Sequence, residues 1–354
     1  MKSICVTGGT GSLGRRLIYY LARGLKIKRI VAFARNEFML AMHNEYFKKI
    51  LDREDYERIH FFLGDIRDRS RLEKAFFGCD VVVHAAALKR VDSILENPTE
   101  IIQTNCDGLV NALEASMATG VKKFIFISSD KAVSPENFYG ASKMMGEELV
   151  RSFNAYSRPR GMTCMSCRWG NVLGSRGSIY WIWREELLKE SPCINITDSR
   201  MTRYFMTFDS AIATIVTVLK QGKSGQTIIP HCQSYLLTDF LEAMINRLAS
   251  NRKDHISIIN SGVRSGGEKY DESLCHANQL AAGWGTLTRD SVVYTVFPPP
   301  GDLIDSDDIS SFLLSSNVNT YPINAMSVSQ LQQEFERFER DDIFNHFDRL
   351  EMPS

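Results

Sequence analysis

Short apolar runs rich in β-branched residues alternate with longer amphipathic stretches through the first half of the chain. The runs are SICVTG, RIVAFA, IHFFLGD, DVVVHAA and KKFIFISS, and helix-compatible residues follow each of them. This alternation is typical of βαβ units, so we predict an α/β protein with a Rossmann-type, doubly wound parallel sheet. A long helix that begins near Phe138 precedes TCMSCRWGNVLG, which we predict as a sixth strand.

The second half of the chain has a looser pattern, which predicts a smaller lobe. We expect a first domain over residues 1–170, a returning segment near 205–232, and a second lobe with a helical tail over 171–354. Apolar residues recur in the tail at roughly helical spacing, which predicts an amphipathic helix that packs on its own domain. They are Leu331, Phe335, Phe338, Ile343 and Phe344.

Composition and charge exclude several classes of protein. Lys plus Arg and Asp plus Glu both number 42, so no basic excess indicates a nucleic-acid partner. No run of about 18 apolar residues occurs, so we expect no membrane span and a cytoplasmic location.

Cys164 and Cys167 form a CxxC in a predicted strand, where residues three apart face opposite ways. We therefore predict reduced thiols and no metal site.

The glycine-rich run TGGTGSLG directly follows the first predicted strand and opens a helix. Its Gly8, Gly11 and Gly14 allow a tight turn and close approach of a pyrophosphate to a helix N-terminus. The alternative is a plain strand-to-helix turn.

The second strand ends at Arg35, where an NAD site usually has an acidic residue. A guanidinium can hold a 2′-phosphate, so we predict NADP, with NAD as the alternative.

Asp65 ends the third predicted strand, where its carboxylate could accept a hydrogen bond from adenine or cap the next helix. The other residues predicted to contact the cofactor lie in the glycine-rich run or at strand ends. They are Thr7, Ser12, Leu13, Ile66, Ala85, Ala86 and Ser128.

Tyr139 and Lys143 are four residues apart on a predicted helix and therefore share one face. A phenol with a pKa of about 10 is a poor base, but a nearby ammonium and a cationic nicotinamide favour the phenolate. The pair can thus deprotonate a sugar or alcohol hydroxyl and contact the cofactor. Ser128 or Ser129, at the end of the preceding strand, could hold the same hydroxyl.

Five motifs in order extend this picture: AAALKRV, SSDKAVSPENFYGASK, RWGNVLGSRGS, TDSRMTRYFMT and GGEK. With them the chain resembles the extended short-chain dehydrogenase/reductase family, and within it the inverting UDP-N-acetylglucosamine 4,6-dehydratases of bacterial polysaccharide and pseudaminic-acid biosynthesis. The resemblance runs from Lys2 to about Lys269. It implies a lyase that uses NADP to oxidise carbon 4, eliminates water across carbons 5 and 6, and returns the hydride to carbon 6. It also implies a UDP-sugar substrate and a homo-oligomer, either a dimer or a hexamer.

The resemblance assigns a role to each catalytic candidate. Tyr139 would be the base at carbon 4, and Lys143 would tune it and hold the nicotinamide ribose. Asp130 would protonate the departing hydroxyl, and Lys131 would abstract the carbon 5 proton. Elimination needs such an acid and base, whereas an epimerase or a simple dehydrogenase needs neither. Retaining relatives have Asp followed by Glu at these positions, so Lys131 indicates inversion.

The resemblance also predicts a substrate-binding set: Lys89, Ser129, Asn171, Arg176, Arg200, Arg203, Arg264 and Glu268. The chain departs from its relatives at Tyr180, Trp181 and Trp183 and in RSGGEK, which leaves the precise sugar open. We expect the two tryptophans in a core or an interface. The alternatives are a UDP-sugar 4-epimerase and a non-catalytic dinucleotide-binding regulator.

Overall fold

The computed structural model of the protein describes residues 1–90, 96–263, 267–275, 279, 285–289, 292–297 and 325–350. Its strands are β1 (Ser3–Thr7), β2 (Arg29–Ala34), β3 (Ile59–Leu63), β4 (Val81–His84), β5 (Lys123–Ile127), β6 (Thr163–Cys167), β7 (Asn171–Val172), β8 (Cys193–Ile196), β9 (Thr202–Met206), β10 (Thr227–Pro230), β11 (Gln233–Leu236), β12 (Ser257–Asn260), β13 (Gly285–Arg289) and β14 (Val292–Phe297). Its α-helices are α1 (Ser12–Arg23), α2 (Glu37–Ile50), α3 (Arg53–Glu57), α4 (Arg69–Phe76), α5 (Pro98–Ile101), α6 (Gly108–Ala118), α7 (Phe138–Ser157), α8 (Ile179–Leu187), α9 (Phe208–Gln221), α10 (Leu237–Leu248), α11 (Val328–Asp341) and α12 (Asn345–Leu350). A π-helical segment, Ile102–Asp107, joins α5 to α6.

The described residues form a nine-stranded sheet in the order β13-β14-β10-β6-β5-β4-β1-β2-β3. Strands β1 to β6 and β10 are parallel, and β14 and then β13 add to β10 as an antiparallel edge. The strand order reverses between β1 and β4, so a crevice opens there at the carboxyl ends of the strands, where ligands of doubly wound folds bind. The predicted doubly wound parallel sheet is confirmed.

The sheet has one apolar core on each face, because the side chains of a strand alternate between the two. All five residues of β1 are buried. Ile4 and Val6 belong to one core and Cys5 to the other. Cys167 and Cys164 also belong to different cores, which confirms that the two CxxC side chains point to opposite faces of the sheet. Burial raises the pKa of the Cys164 thiol to about 12.

The predicted sixth strand is divided in two. After β6 the chain leaves the large sheet, and β7 pairs with β9 in a second sheet of three strands within the described chain. Gly170 lies at this change of direction, and a Cβ there would be 2.1 Å from Tyr204 Cβ. Within the returning segment 205–232, β10 pairs with β6. The hairpin of β13 and β14 was not foreseen, and the lobe boundary at residue 170 stays a prediction.

The C-terminal tail packs on both parts of the molecule. Its predicted amphipathic helix is α11, which buries Leu331, Phe335 and Phe338 in a core that also contains Trp181 and Trp183. The two tryptophans, expected in a core or an interface, lie in a core, since each is 3% exposed. Ile343 is exposed because α11 ends before it, whereas Phe344 joins a core of the large sheet. No helix in the described part of the chain is long and apolar enough to cross a membrane.

Candidate active site

The glycine-rich turn between β1 and α1 is built for close backbone approach. Gly8 has φ +70°, and a Cβ on it would lie 2.9 Å from the Ala86 amide nitrogen. A Cβ on Gly14 would lie 2.2 Å from Gly8 O, so a larger residue at either position would force the turn apart. No side chain caps α1 at Gly11, the residue before it. The first amides of this helix are therefore suited to an anionic ligand.

A cavity of about 640 Å³ opens beside this turn at the carboxyl ends of β1 to β4. Much of the predicted cofactor set lines it, together with two residues of the predicted substrate set. These residues are Gly8, Gly11, Arg35, Asp65, Ile66, Ala85, Ala86, Lys89 and Arg176. Thr7, Ser12, Leu13 and Gly14 do not line the described part of the cavity, and Thr7 Oγ1 lies 3.1 Å from His84 Nδ1. The cavity and the glycine cradle suit a dinucleotide.

Arg35 and Asp65 stand on the wall of this cavity, as the sequence predicts. Arg35 is exposed, so its guanidinium is open to a ligand. Asp65 accepts hydrogen bonds from the Arg67 backbone nitrogen (2.9 Å) and guanidinium (2.8 Å). Burial by itself would raise the pKa of Asp65, but these hydrogen bonds lower it. Asp68 caps α4, so Asp65 does not take the alternative role of helix cap.

The Asp130 carboxyl group lies just after β5 and is completely buried. Its Oδ1 accepts hydrogen bonds from Ser129 Oγ (2.6 Å) and Lys131 Nζ (3.1 Å). Its Oδ2 is buried with no hydrogen-bond partner among the described residues. Burial raises the pKa of Asp130, and the charge of Glu272 adds to the effect, whereas Lys131 opposes it. Asp130 is therefore disposed to carry a proton, as a general acid must.

The Lys131 ammonium stands between several oxygen atoms. Its Nζ donates to Asn171 Oδ1 at 3.1 Å and lies 3.6 Å from Glu272 Oε1. Burial would lower the pKa of Lys131, but the carboxylates of Asp130 and Glu272 raise it above its ordinary value. Lys131 therefore carries a proton here, and it must lose that proton before it can act as a base.

Tyr139 and Lys143 lie one turn apart on α7, but their polar atoms point to different partners. Burial raises the pKa of Tyr139, while the charge of Lys131 and a hydrogen bond with Ser129 lower it. Lys143 Nζ donates to Ile127 O at 2.7 Å and lies 5.9 Å from the Tyr139 ring centre. Burial lowers the pKa of Lys143 to about 8. Tuning of Tyr139 by Lys143 stays a prediction, since the influences that lower the Tyr139 pKa in the structure come from Lys131 and Ser129. Ser128 is buried, and its Oγ has no hydrogen-bond partner within the described ranges.

The remaining predicted substrate residues are not all placed near Asp130 and Lys131. Asn171 Oδ1 accepts a hydrogen bond from Lys131 Nζ, and the buried Arg203 donates to Glu268 Oε1 at 2.8 Å. Arg200 is 74% exposed, pairs with Asp198 and does not line the described part of the cavity. Arg264 lies outside the described residues. The structure therefore does not show the predicted set of four arginines assembled at one place.

Sequence reasoning missed three residues that hold this site together. Glu272 is 3% exposed and provides the second carboxylate near Lys131. Asn105, in the π-helical segment, exchanges hydrogen bonds with the backbone of Leu88 (2.8 and 2.9 Å), the residue before Lys89. Asp348 of the tail contacts the glycine-rich turn. Only Glu272 had a signal, because it closely follows the GGEK motif.

Comparison with known proteins establishes the family. A model described as Polysaccharide biosynthesis protein matches residues 4–284, so the chain belongs to that family. The chain is 31% identical over 86% of its length to an inverting UDP-N-acetylglucosamine 4,6-dehydratase of Campylobacter jejuni, of which it covers 85%. It is 32% identical to a UDP-glucose 4-epimerase of Rickettsia felis, with 79% of each chain covered. It is also 37% identical to a Methanocaldococcus jannaschii protein named an uncharacterized membrane protein, over 77% of this chain and 80% of that one.

Solved structures agree with this placement. Pen from Bacillus thuringiensis superimposes with a TM-score of 0.83 at 28% identity, covering 96% of this chain and 98% of that one. A dTDP-glucose 4,6-dehydratase from Streptomyces venezuelae, solved with NAD bound, has the same fold with a TM-score of 0.66 at 18% identity, covering 96% and 97%. The chain is thus a member of the nucleotide-sugar dehydratases and epimerases of the extended short-chain dehydrogenase/reductase type, as its motifs predict.

Proposed function

We propose that this protein is a nucleotide-sugar 4,6-dehydratase that acts on UDP-N-acetylglucosamine and inverts carbon 5. The observation that carries the proposal is the buried Asp130 carboxyl group beside Lys131, with one oxygen that lacks a partner among the described residues. Elimination of water requires an acid and a base near two adjacent carbons, and these side chains can provide both. The similarity to the Campylobacter jejuni dehydratase supports the choice of substrate.

Proton transfer within the Asp130–Lys131 pair would produce the reactive forms. Lys131 Nζ and Asp130 Oδ1 are 3.1 Å apart, close enough for a proton to pass between them. The transfer yields a neutral amine and a neutral carboxylic acid without changing the number of protons. A bound sugar that excludes water favours the neutral pair, because burial penalises charged forms. Lys131 then accepts the carbon 5 proton, and Asp130 protonates the departing hydroxyl of carbon 6.

The residues around the cavity would hold NADP, which accepts and returns a hydride when bound. The α1 N-terminus, with Gly11, Ser12 and Leu13, would bind the pyrophosphate. Arg35 would hold the 2′-phosphate, in preference to NAD. Lys143 would hold the nicotinamide ribose, and Tyr139 would take the carbon 4 hydroxyl proton. The sheet-based lobe would thus bind the cofactor, and the lobe after residue 170 the sugar nucleotide.

A UDP-sugar 4-epimerase is the second candidate, because a relative with that name is 32% identical. An epimerase would use Tyr139 but has no need for Asp130 and Lys131, since no water leaves the sugar. The two activities also differ in the mass of the product, which makes them easy to separate.

The test is mass spectrometry of the purified full chain incubated with UDP-N-acetylglucosamine and catalytic NADP. A product lighter by one water, about 18 mass units, is expected, and Asp130→Asn should fail to form it. An epimer of unchanged mass would replace the proposal with a 4-epimerase. No reaction with this or other UDP- and dTDP-sugars would favour a non-catalytic regulator. We also propose a homo-oligomer, a dimer or a hexamer, which sedimentation would measure.

A further inference from the structure

The C-terminal helix α12 meets the N-terminal end of α1. Its Asp348 side chain is completely buried, and the carboxylate accepts hydrogen bonds from Ser12 Oγ and Arg15 Nη2. Its other oxygen lies 2.7 Å from Arg16 Nη1. Arg16 in turn donates to Ser12 O at 2.9 Å. One side chain of the tail therefore holds the first turn of the helix that follows the glycine-rich run.

Ser12 and Arg15 connect this carboxylate to the cavity wall. Ser12 Oγ also accepts a hydrogen bond of 2.9 Å from the backbone nitrogen of Arg176, which lines the cavity. Arg15, fully buried, donates to the backbone oxygen of Thr10 at 3.2 Å, and Thr10 lines the cavity as well. Asp348 does not line the described part of the cavity and its side chain is completely buried, so its carboxylate does not occupy the place of a ligand phosphate.

Aromatic side chains fasten the same segment to α2, the helix that follows Arg35. The Phe347 ring centre lies 4.5 Å from that of His43 and 5.0 Å from that of Tyr46. Tyr46 Oη donates to Ile343 O at 2.7 Å. The segment 342–350 therefore contacts both the turn proposed for the pyrophosphate and the helix next to the residue proposed for the 2′-phosphate.

We infer that Asp348 is a positioning residue for the dinucleotide, and that through it the segment 342–350 retains the cofactor between turnovers. The inference rests on the proposed function, in which the cofactor is regenerated in every cycle and release brings no advantage. Charge-assisted hydrogen bonds in a buried site fix Ser12 and the Arg176 backbone before the ligand arrives. A turn that is already ordered loses less conformational freedom on binding, so it binds more tightly.

The experiment measures NADP affinity of the full chain by calorimetry in Asp348→Asn and in Asp341→Asn. Asp341 carries the same charge at the end of α11, just before this segment, but it pairs with Arg340 and is about half exposed. We expect Asp348→Asn to weaken NADP binding about tenfold, because hydrogen bonds to charged groups are among the stronger ones in proteins. Asp341→Asn should bind as the unaltered protein does. A pure charge effect predicts the opposite, since removing a negative charge near a phosphate strengthens binding.

Unchanged or tighter NADP binding by Asp348→Asn would overturn the inference, whatever happens to its melting temperature. Ser12→Ala provides a second test if Asp348→Asn does not fold. It should also weaken NADP binding, and the double variant should be no weaker than the poorer single variant, because the residues act as one unit. Wild-type NADP affinity in Ser12→Ala would show that Ser12 does not connect Asp348 to the cofactor site. An unaltered chain that binds neither NADP nor NAD would instead refute the proposed cofactor site.

Discussion

Lys131 Nζ lies 3.1 Å from Asp130 Oδ1 and 3.6 Å from Glu272 Oε1, so one ammonium group is shared by two buried carboxyl groups. This arrangement raises the pKa of Lys131, while burial raises that of Asp130. Each group thus holds a proton more strongly than it would in water, and in the ion pair the proton between them is on Lys131. A pair of this kind can give a proton at one atom and take one at another, as the proposed elimination requires.

Removing the phenol hydroxyl of Tyr139 should stop the reaction at its first step. Tyr139→Phe should still bind NADP but lose about 10²- to 10⁴-fold in turnover, the usual contribution of a positioned acid or base. Tyr156→Phe is the matched control, because Tyr156 is 65% exposed on the same helix. Steady-state product formation measures both variants. Wild-type turnover in Tyr139→Phe would remove this residue from the mechanism.

Removing the amine of Lys131 should separate oxidation from elimination. Lys131→Ala should fail to form dehydrated product, yet it should still permit some reduction of bound NADP, seen as NADPH absorbance in a single turnover. Lys122→Ala is the control, because Lys122 is exposed just before β5, whereas Lys131 lies beyond its other end. Full dehydration by Lys131→Ala would show that another group takes the carbon 5 proton.

Replacing Arg35 should change the choice between the two dinucleotides. Arg35→Ala should weaken NADP binding about tenfold or more and leave NAD binding nearly unaltered, because only NADP has a phosphate for the guanidinium to hold. Arg53→Ala controls for the loss of a surface cation, since Arg53 is 90% exposed and pairs with Glu57. Calorimetric titration with each dinucleotide gives the comparison. Equal losses for NADP and NAD would exclude the assigned role.

His43 should make the protein less stable in acid. Burial lowers the pKa of His43 from 6.5 to about 3, and the charges of Arg15 and Arg176 add to the effect. The folded state therefore keeps this ring neutral while the unfolded chain takes a proton. The stability from neutral His43 is fully present above pH 6.5 and is lost as the pH falls toward 3.

His43→Phe should flatten this dependence. Below the unfolded pKa, the free energy of unfolding should fall less steeply with decreasing pH, by about 1.4 kcal/mol per pH unit, because one fewer proton is taken up on unfolding. Urea denaturation at several pH values from neutral to mildly acidic measures the slope. His231→Gln, at an exposed position, controls for the loss of a histidine. An unchanged slope in His43→Phe would mean that this ring does not remain neutral in the fold.

The parallel sheet could be predicted from local sequence patterns, because the signal for each strand and turn lies within one short segment. The β1 run is buried at every position, and the glycine-rich run follows it directly, so both the strand and the turn could be predicted. The same holds for α7, which begins at Phe138 as expected. The β13–β14 hairpin was missed because its partner β10 is far away in the sequence, and the apolar pattern of a strand does not identify its neighbour.

The fold class and the catalytic candidates could be chosen from the sequence alone, because strand periodicity, glycine spacing and the order of five motifs are all properties of consecutive residues. The approach of Glu272 to Lys131 and the contact of Asp348 with Ser12 depend on how distant parts of the chain pack together. The physical reason is that a buried charge or hydroxyl finds its partner through chain packing. Ser12 and Asp348 are 336 residues apart, and the sequence around either residue does not indicate their contact.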